Sequence, residues 1–94
     1  MKYEVRYADR ALEQIKVLRA YDKAIVLERI DQLLTTDPTR TSRTAIKLLQ
    51  QPAPTQYRLR AADFRIFYNV EGSVVRVVEI LSKDDSVIFL RRHP

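Results

Sequence analysis

The stretch Gln56-Tyr57-Arg58-Leu59-Arg60-Ala61-Ala62-Asp63-Phe64-Arg65-Ile66-Phe67-Tyr68-Asn69-Val70 decides the fold. Its first six residues alternate, with Tyr57, Leu59 and Ala61 on one side and Gln56, Arg58 and Arg60 on the other, the two-residue period of a half-buried strand. Ala62-Asp63 turns the chain. Phe64, Ile66, Tyr68 and Val70 then share one face of a second strand, against Arg65, Phe67 and Asn69 on the other. Downstream, Glu71-Gly72-Ser73 is a hairpin signal around the only glycine, and Val74 to Leu81 is β-branched enough for a strand covered on both faces. That predicts a central position for the last strand.

Upstream, residues 2–7 alternate strictly, Tyr3, Val5 and Tyr7 against Lys2, Glu4 and Arg6, which predicts one more strand. Asp9 is placed to cap a helix whose apolar residues Ala11, Leu12, Ile15 and Leu18 recur at helical spacing and which ends near Ala20. Asp22 offers a second cap, and Val26, Ile30, Leu33 and Leu34 form the next stripe, closed by Thr35-Thr36-Asp37-Pro38. Two helices so briefly linked form an antiparallel hairpin. Thr39 to Thr44 is polar and basic and reads as a surface loop, and Ile46, Leu48 and Leu49 start a short extended piece that Pro52 and Pro54 break. Residues 82–92 read either as a loop with a short terminal helix or as an extended tail. The expected order is β-α-α-β-β-β, an α+β domain in which a helical hairpin covers one face of a small, mainly antiparallel sheet.

Ninety-four residues of even composition, 46% of them hydrophobic, predict one domain over residues 1–94 with an ordinary core. With no cysteine and a single histidine, His93, the chain has no disulfide framework, thiol nucleophile or His-rich metal site, and no cofactor is expected. A formal net charge of +5 points to an anionic partner, which by charge alone is a nucleic acid, an acidic protein or an anionic membrane surface. No apolar run is long enough for a membrane span and Met1-Lys2-Tyr3-Glu4 carries no signal-peptide core, so a cytoplasmic protein is expected.

Helices packed on the face of Tyr57, Leu59, Ile66 and Tyr68 leave Arg58, Arg60 and Arg65 together on the opposite face, predicted to be open. Two readings fit. The planar donor forks of three arginines match a phosphate, or they are ordinary solvent-facing strand residues that discourage edge pairing. Phe67 shares that side, either as a platform for an RNA base or as packing. Glu79, by parity with Lys83, faces the same surface and is expected to pair with an arginine. Lys83, beside Asp84 and Asp85, either adds positive charge for a phosphate or is a solvated residue past the strand. His93 reads as a fraying terminal residue. Asp9, Asp22 and Asp37 read as caps or turn residues, and no paired acids, Gly-rich phosphate loop or Ser/His/Asp arrangement is present.

Tyr57 to Tyr68 resembles the central signature of the RelE/ParE toxin superfamily, and the resemblance extends through Tyr3-Glu4-Val5, Leu34 with Asp37-Pro38, Lys47-Leu48, and Val74 to Ile80. It implies the same fold and the toxin of a type II toxin–antitoxin module, neutralised by a small cognate antitoxin. In RNA-cleaving members, basic strand residues and a C-terminal Arg/Lys and Tyr promote attack of the RNA 2′-OH on its adjacent phosphate, often on mRNA in the ribosomal A site and without metal. Carried over, those basic residues fall on Arg58, Arg60, Arg65 and, most nearly, Lys83; beside them Phe67 and Lys47 are expected as further RNA contacts. Three positions depart from the pattern. Ala62 replaces a glycine, Leu81-Ser82-Lys83 replaces Gly-His-Arg, and Phe89 stands at the usual tyrosine and has no hydroxyl for proton transfer. The resemblance therefore implies a ribosome-dependent mRNA endoribonuclease, with two alternatives: a ParE-like inhibitor of DNA gyrase acting by protein contact, or a homologue that binds antitoxin and has lost toxicity.

Overall fold

The structure, a computed structural model, describes residues 2–92. In chain order it contains β1 (Glu4–Tyr7), α1 (Asp9–Lys16), α2 (Ala20–Arg29) running into a π-helical turn (Ile30–Leu34), β2 (Ile46–Leu48), β3 (Tyr57–Ala61), β4 (Phe64–Glu71), β5 (Val74–Ser82) and α3 (Lys83–Arg92). The strands form one sheet in the order β1-β5-β4-β3-β2, parallel only between β1 and β5. β5 is thus an interior strand, as its β-branched run predicts.

The alternation read from the sequence becomes register. Leu59, Ile66 and Ile80 lie side by side across β3, β4 and β5, and Tyr57, Tyr68 and Val77 form the next row. Phe67 opposes Glu79 while Tyr68 opposes Val77, so Val78 is an extra residue, a bulge. The bulge resets the parity of β5. Val75 and Val77 before it and Ile80 after it all turn toward the same core, which an unbroken period of two forbids. Ala11, Val26, Ile30 and Leu34 of the helical hairpin close over that face. Tyr68, fully buried, stacks on Tyr57 with ring centroids 5.5 Å apart and donates its hydroxyl to the Pro38 carbonyl at 2.6 Å. Burial, with Tyr57 beside it, holds the Tyr68 phenol well above its ordinary pKa, so it stays a donor.

Three local expectations are corrected. Neither Asp9 nor Asp22 caps its helix: the caps are Ala8 and Arg19, without side-chain hydrogen bonds, and the two acids sit in the first turns, where a carboxylate still meets the positive end of the helix dipole. The first helix also stops at Lys16 rather than near Ala20. The face opposite the hairpin is not open. The C-terminal segment forms α3, which folds back so that Phe89 meets Phe67 edge to face at 5.0 Å. Nothing in Lys83-Asp84-Asp85-Ser86 announces a buried helix, because only Ser86 of α3 is fully buried. His93 lies outside the described residues.

β1 leaves the sheet after Tyr7, and α1 finishes the exposed edge of β5 in its place. The Gln14 side-chain carbonyl accepts the Ile80 N–H at 2.6 Å, and its amide donates to the Glu79 carboxylate at 2.7 Å. At the other end of the sheet, Ala62 in the β3–β4 turn has φ +53°, the left-handed region where a Cβ is strained. Replacing Ala62 by glycine relieves that strain. Ala62→Gly is expected to stabilise the domain by about 1 kcal/mol, raising Tm by roughly 4–8 °C for a domain of this size, as read by thermal denaturation.

Candidate phosphate-binding site

The two-residue turn at Ala62-Asp63 sets Arg60 directly opposite Arg65 and Arg58 opposite Phe67. All three arginines therefore share the face turned away from the helical hairpin, and β2 adds Lys47 opposite Arg58. Like charges placed directly across two strands are destabilising. The other opposed arginine pair in the sheet, Arg6 and Arg76, has Glu4 at 2.7 Å from Arg6. The β3–β4 cluster has no such ion pair: among the described residues no carboxylate lies within 4.0 Å of Arg58, Arg60 or Arg65, and Asp63 of the turn acts on Arg65 only from farther away.

The three arginines are not equivalent. Arg60 is exposed and Arg58 is half-buried. The Arg58 Nε is shielded from solvent with no hydrogen-bond partner among the described residues, an unsatisfied donor that costs free energy until an acceptor arrives. Burial lowers the Arg58 pKa from the ordinary arginine value, and Arg65 and Arg60 lower it further. Arg65 is lowered by burial and by Arg60, with Asp63 opposing. The reference value of arginine is so high that both stay charged at neutral pH. Their mutual repulsion is therefore present in the folded protein, and an incoming anion relieves it.

Arg65 departs most from expectation. It is only 4% exposed, and one guanidinium nitrogen donates to the carbonyls of Ala62 and Phe64 at 3.1 and 3.0 Å. It braces the strained turn and sends its field, rather than its whole donor fork, toward the surface. Phe67 is fully buried against Phe89 and does not present a free platform to a base. Glu79 is on this face and does meet an arginine, but that arginine is Arg10 of α1, 2.6 Å away, so the strand cluster keeps its charge. Lys83 is exposed at the start of α3, where its backbone N–H donates to the Asp63 carbonyl at 2.7 Å, close to the same turn. Lys47 is exposed as well. Of the basic residues at this turn and on the adjoining strands, Arg60, Lys47 and Lys83 are exposed, Arg58 is half-buried and Arg65 is buried. Sequence spacing gave no sign of the Arg10–Gln14–Glu79 network, because it depends on where β1 stops. Among the described residues no three His, Cys, Asp or Glu side chains converge to hold a metal ion.

This sheet, with its hairpin on one face and a terminal helix on the other, has the fold of the RelE toxins. It superposes with TM-score 0.75 on a chain of the RelBE2 toxin–antitoxin complex of Mycobacterium tuberculosis (20% identity, 87% of this chain and 99% of that one). A chain of the archaeal RelE–RelB complex of Pyrococcus horikoshii gives 0.72 (21% identity, 88% and 97%), and a free-state mutant of Escherichia coli RelE gives 0.70 (19% identity, 98% and 97%). No curated protein sequence matches the chain. The family described as the ParE toxin of the type II toxin–antitoxin system parDE matches residues 5–87, and the chain belongs to that family.

Because folding depresses the pKa of Arg58, its ionised form is disfavoured by the fold at every pH below the unfolded value, which includes the whole neutral range. Replacing it by an uncharged side chain of similar length removes both the repulsion and the orphaned donor. Arg58→Met is expected to raise Tm, against the usual direction of a substitution in a packed sheet, and sulfate is expected to stabilise the parent protein more than the variant. Thermal melts with and without sulfate measure both.

Proposed function

We propose that this chain is a toxin that cleaves mRNA on the ribosome and is held inactive by a cognate antitoxin. The reading is carried by the unpaired Arg58 Nε in a cluster of three arginines that has no carboxylate within 4.0 Å among the described residues, a site whose positive charge Asp63 offsets only in part. The RNA 2′-oxygen attacks the adjacent phosphorus and loses its proton to solvent. The bond from phosphorus to the 5′-oxygen breaks, and that oxygen takes a proton from water, leaving a 2′,3′-cyclic phosphate and a 5′-hydroxyl. Arg58 and Arg60 hold the non-bridging oxygens as negative charge builds on the pentavalent phosphorus, Arg65 adds its field from behind, and Lys83 adds charge from the far side of the turn. The E. coli RelE match and the antitoxin complexes among the structural matches support this reading by fold.

A second reading has its own support. Phe89 supplies no hydroxyl at the position where the RNA-cleaving pattern has tyrosine, and the matching family is ParE, which favours inhibition of DNA gyrase by protein contact.

A reconstituted translation reaction with mapped mRNA ends separates the two. Cleavage that requires ribosomes and falls at least about 100-fold in Arg58→Met and in Arg60→Ala, both folded by circular dichroism, is the expected result. Intact mRNA together with gyrase-dependent DNA breaks overturns it in favour of the second reading.

A further inference from the structure

The charge of this protein is segregated in a way that the strand arginines only begin to show. Between Asp37 and Asp63 there is no acidic residue, and the 25 residues from Pro38 to Ala62 carry Arg40, Arg43, Lys47, Arg58 and Arg60. The remaining 69 residues hold 12 basic and 12 acidic side chains, so this one stretch accounts for the entire net charge of +5. It folds as the loop after the helices, β2, the following loop and β3, which together form one end of the sheet.

The loop of residues 39–45 is built against that end. The Ser42 N–H donates to the Ile46 carbonyl at 2.9 Å, the Ala45 N–H donates to the Ser42 hydroxyl at 3.0 Å, and the Arg60 N–H donates to the Ala45 carbonyl at 2.9 Å. The last bond ties the loop to β3 beside the candidate site. Thr39, Arg40, Thr41, Ser42, Arg43 and Thr44 are all exposed, and every one is a hydroxyl or a guanidinium. Neither Arg40 nor Arg43 has a carboxylate within 4.0 Å among the described residues. Hydroxyls, amides and arginines are what hold phosphate and sugar oxygens.

A protein partner asks for something different, an apolar centre with aromatic or aliphatic anchors. Of the exposed large apolar side chains, Leu12, Val17, Tyr21 and Leu27 lie on the helical hairpin and Val87 and Ile88 on α3, and Leu48 of β2 is the one within the basic stretch. The 39–45 loop has none. The surface is thus divided into a largely apolar part on the helices and a mainly polar, basic sheet end, with Leu48 exposed on β2 and Asp37 beside Arg40 at its border.

We infer that the loop 39–45, through Arg40 and Arg43, is a second RNA-backbone contact, separate from the Arg58–Arg60–Arg65 cluster and tied to it at the sheet end by the Ala45–Arg60 backbone hydrogen bond. This rests on the RNA reading of the preceding subsection. The loop grips a stretch of backbone away from the scissile phosphate and sets the angle at which the strand reaches the cluster. Its contribution is electrostatic and independent of base sequence.

The test uses a 2′-O-methyl RNA hairpin, which has no free 2′-hydroxyl and so reports binding without cleavage. Fluorescence anisotropy titrations from 50 to 200 mM salt compare the parent chain with an Arg40→Ala/Arg43→Ala variant. Each lost phosphate contact flattens the log–log salt dependence by about 0.7–0.9, so the weakening of binding across that range is expected to be roughly tenfold smaller for the double variant. An unchanged Tm confirms that the substitutions stay local. Equal affinity and equal salt slope for the two proteins overturn the inference. So does a variant that binds the hairpin normally but loses its hold on the co-expressed antitoxin, which assigns the loop to a protein partner. If the hairpin result is as expected while translation reactions show no cleavage, the loop assignment stands and the endoribonuclease reading falls. Cleavage without any effect of the double variant reverses the two.

Discussion

The constraint on which this molecule depends is the register of the β3–β4 hairpin. A two-residue turn fixes Arg60 opposite Arg65, and from that pairing every other side chain of the two strands takes its face. Shifting the pairing by one residue sends Leu59, Ile66 and Tyr68 to the outside and drives the arginines into the helical hairpin. The apolar side chains that stabilise the fold and the charges that strain it are interleaved on the same two strands, so the core holds the arginines in mutual opposition. The turn is itself strained at Ala62, and Arg65 commits one guanidinium nitrogen to the two carbonyls around it. A charge that resembles a substrate ligand in the sequence is, in the structure, first a brace for the element that aligns the others.

The two ends of β5 show how the sheet is joined to the helices. At its N-terminal end β1 lies parallel to it; at its C-terminal end Gln14 of α1 supplies the edge hydrogen bond that a strand would otherwise supply, and in the same step holds Glu79 in place beside Arg10. Glu79 is only 6% exposed, and the Gln14 amide and the Arg10 guanidinium together compensate the burial of its carboxylate. The bulge at Val78 lets Val77 and Ile80 both serve the core while Glu79 stays on the other face.

Most of the architecture was legible because period-two alternation is a local signal that the core then enforces: the four longer strands and the order of elements follow from Tyr3, Val5 and Tyr7, from Leu59 and Ile66, and from the β-branched run after Gly72. The short strand β2 at Ile46 was visible only as an extended piece. The resemblance to the toxin superfamily pointed to the same order independently. What escaped the sequence depends on tertiary facts. α3 is amphipathic only in relation to a face already partly polar, and its opening residues look like a solvated loop. Arg65 has the same parity as an exposed residue, and its burial arises from carbonyls that the turn happens to aim at it. Phe67 was readable as packing or platform, and Phe89 decides for packing. Asp9 and Asp22 sit one and three positions inside their helices, a shift too small for cap signals to resolve.

The localisation of all the excess charge at the β2–β3 end has a consequence before any contact is made. A molecule that is balanced over most of its length and positive at one end has a strong electric dipole, and the field of a polyanion exerts a torque on it as well as a pull. In such a field it turns with the sheet end forward and the helical hairpin behind. Orientation acquired during diffusion shortens the search that ordinarily slows the docking of two specific patches, and it leaves the apolar faces of the helices pointing outward, available to a second molecule while the first is engaged.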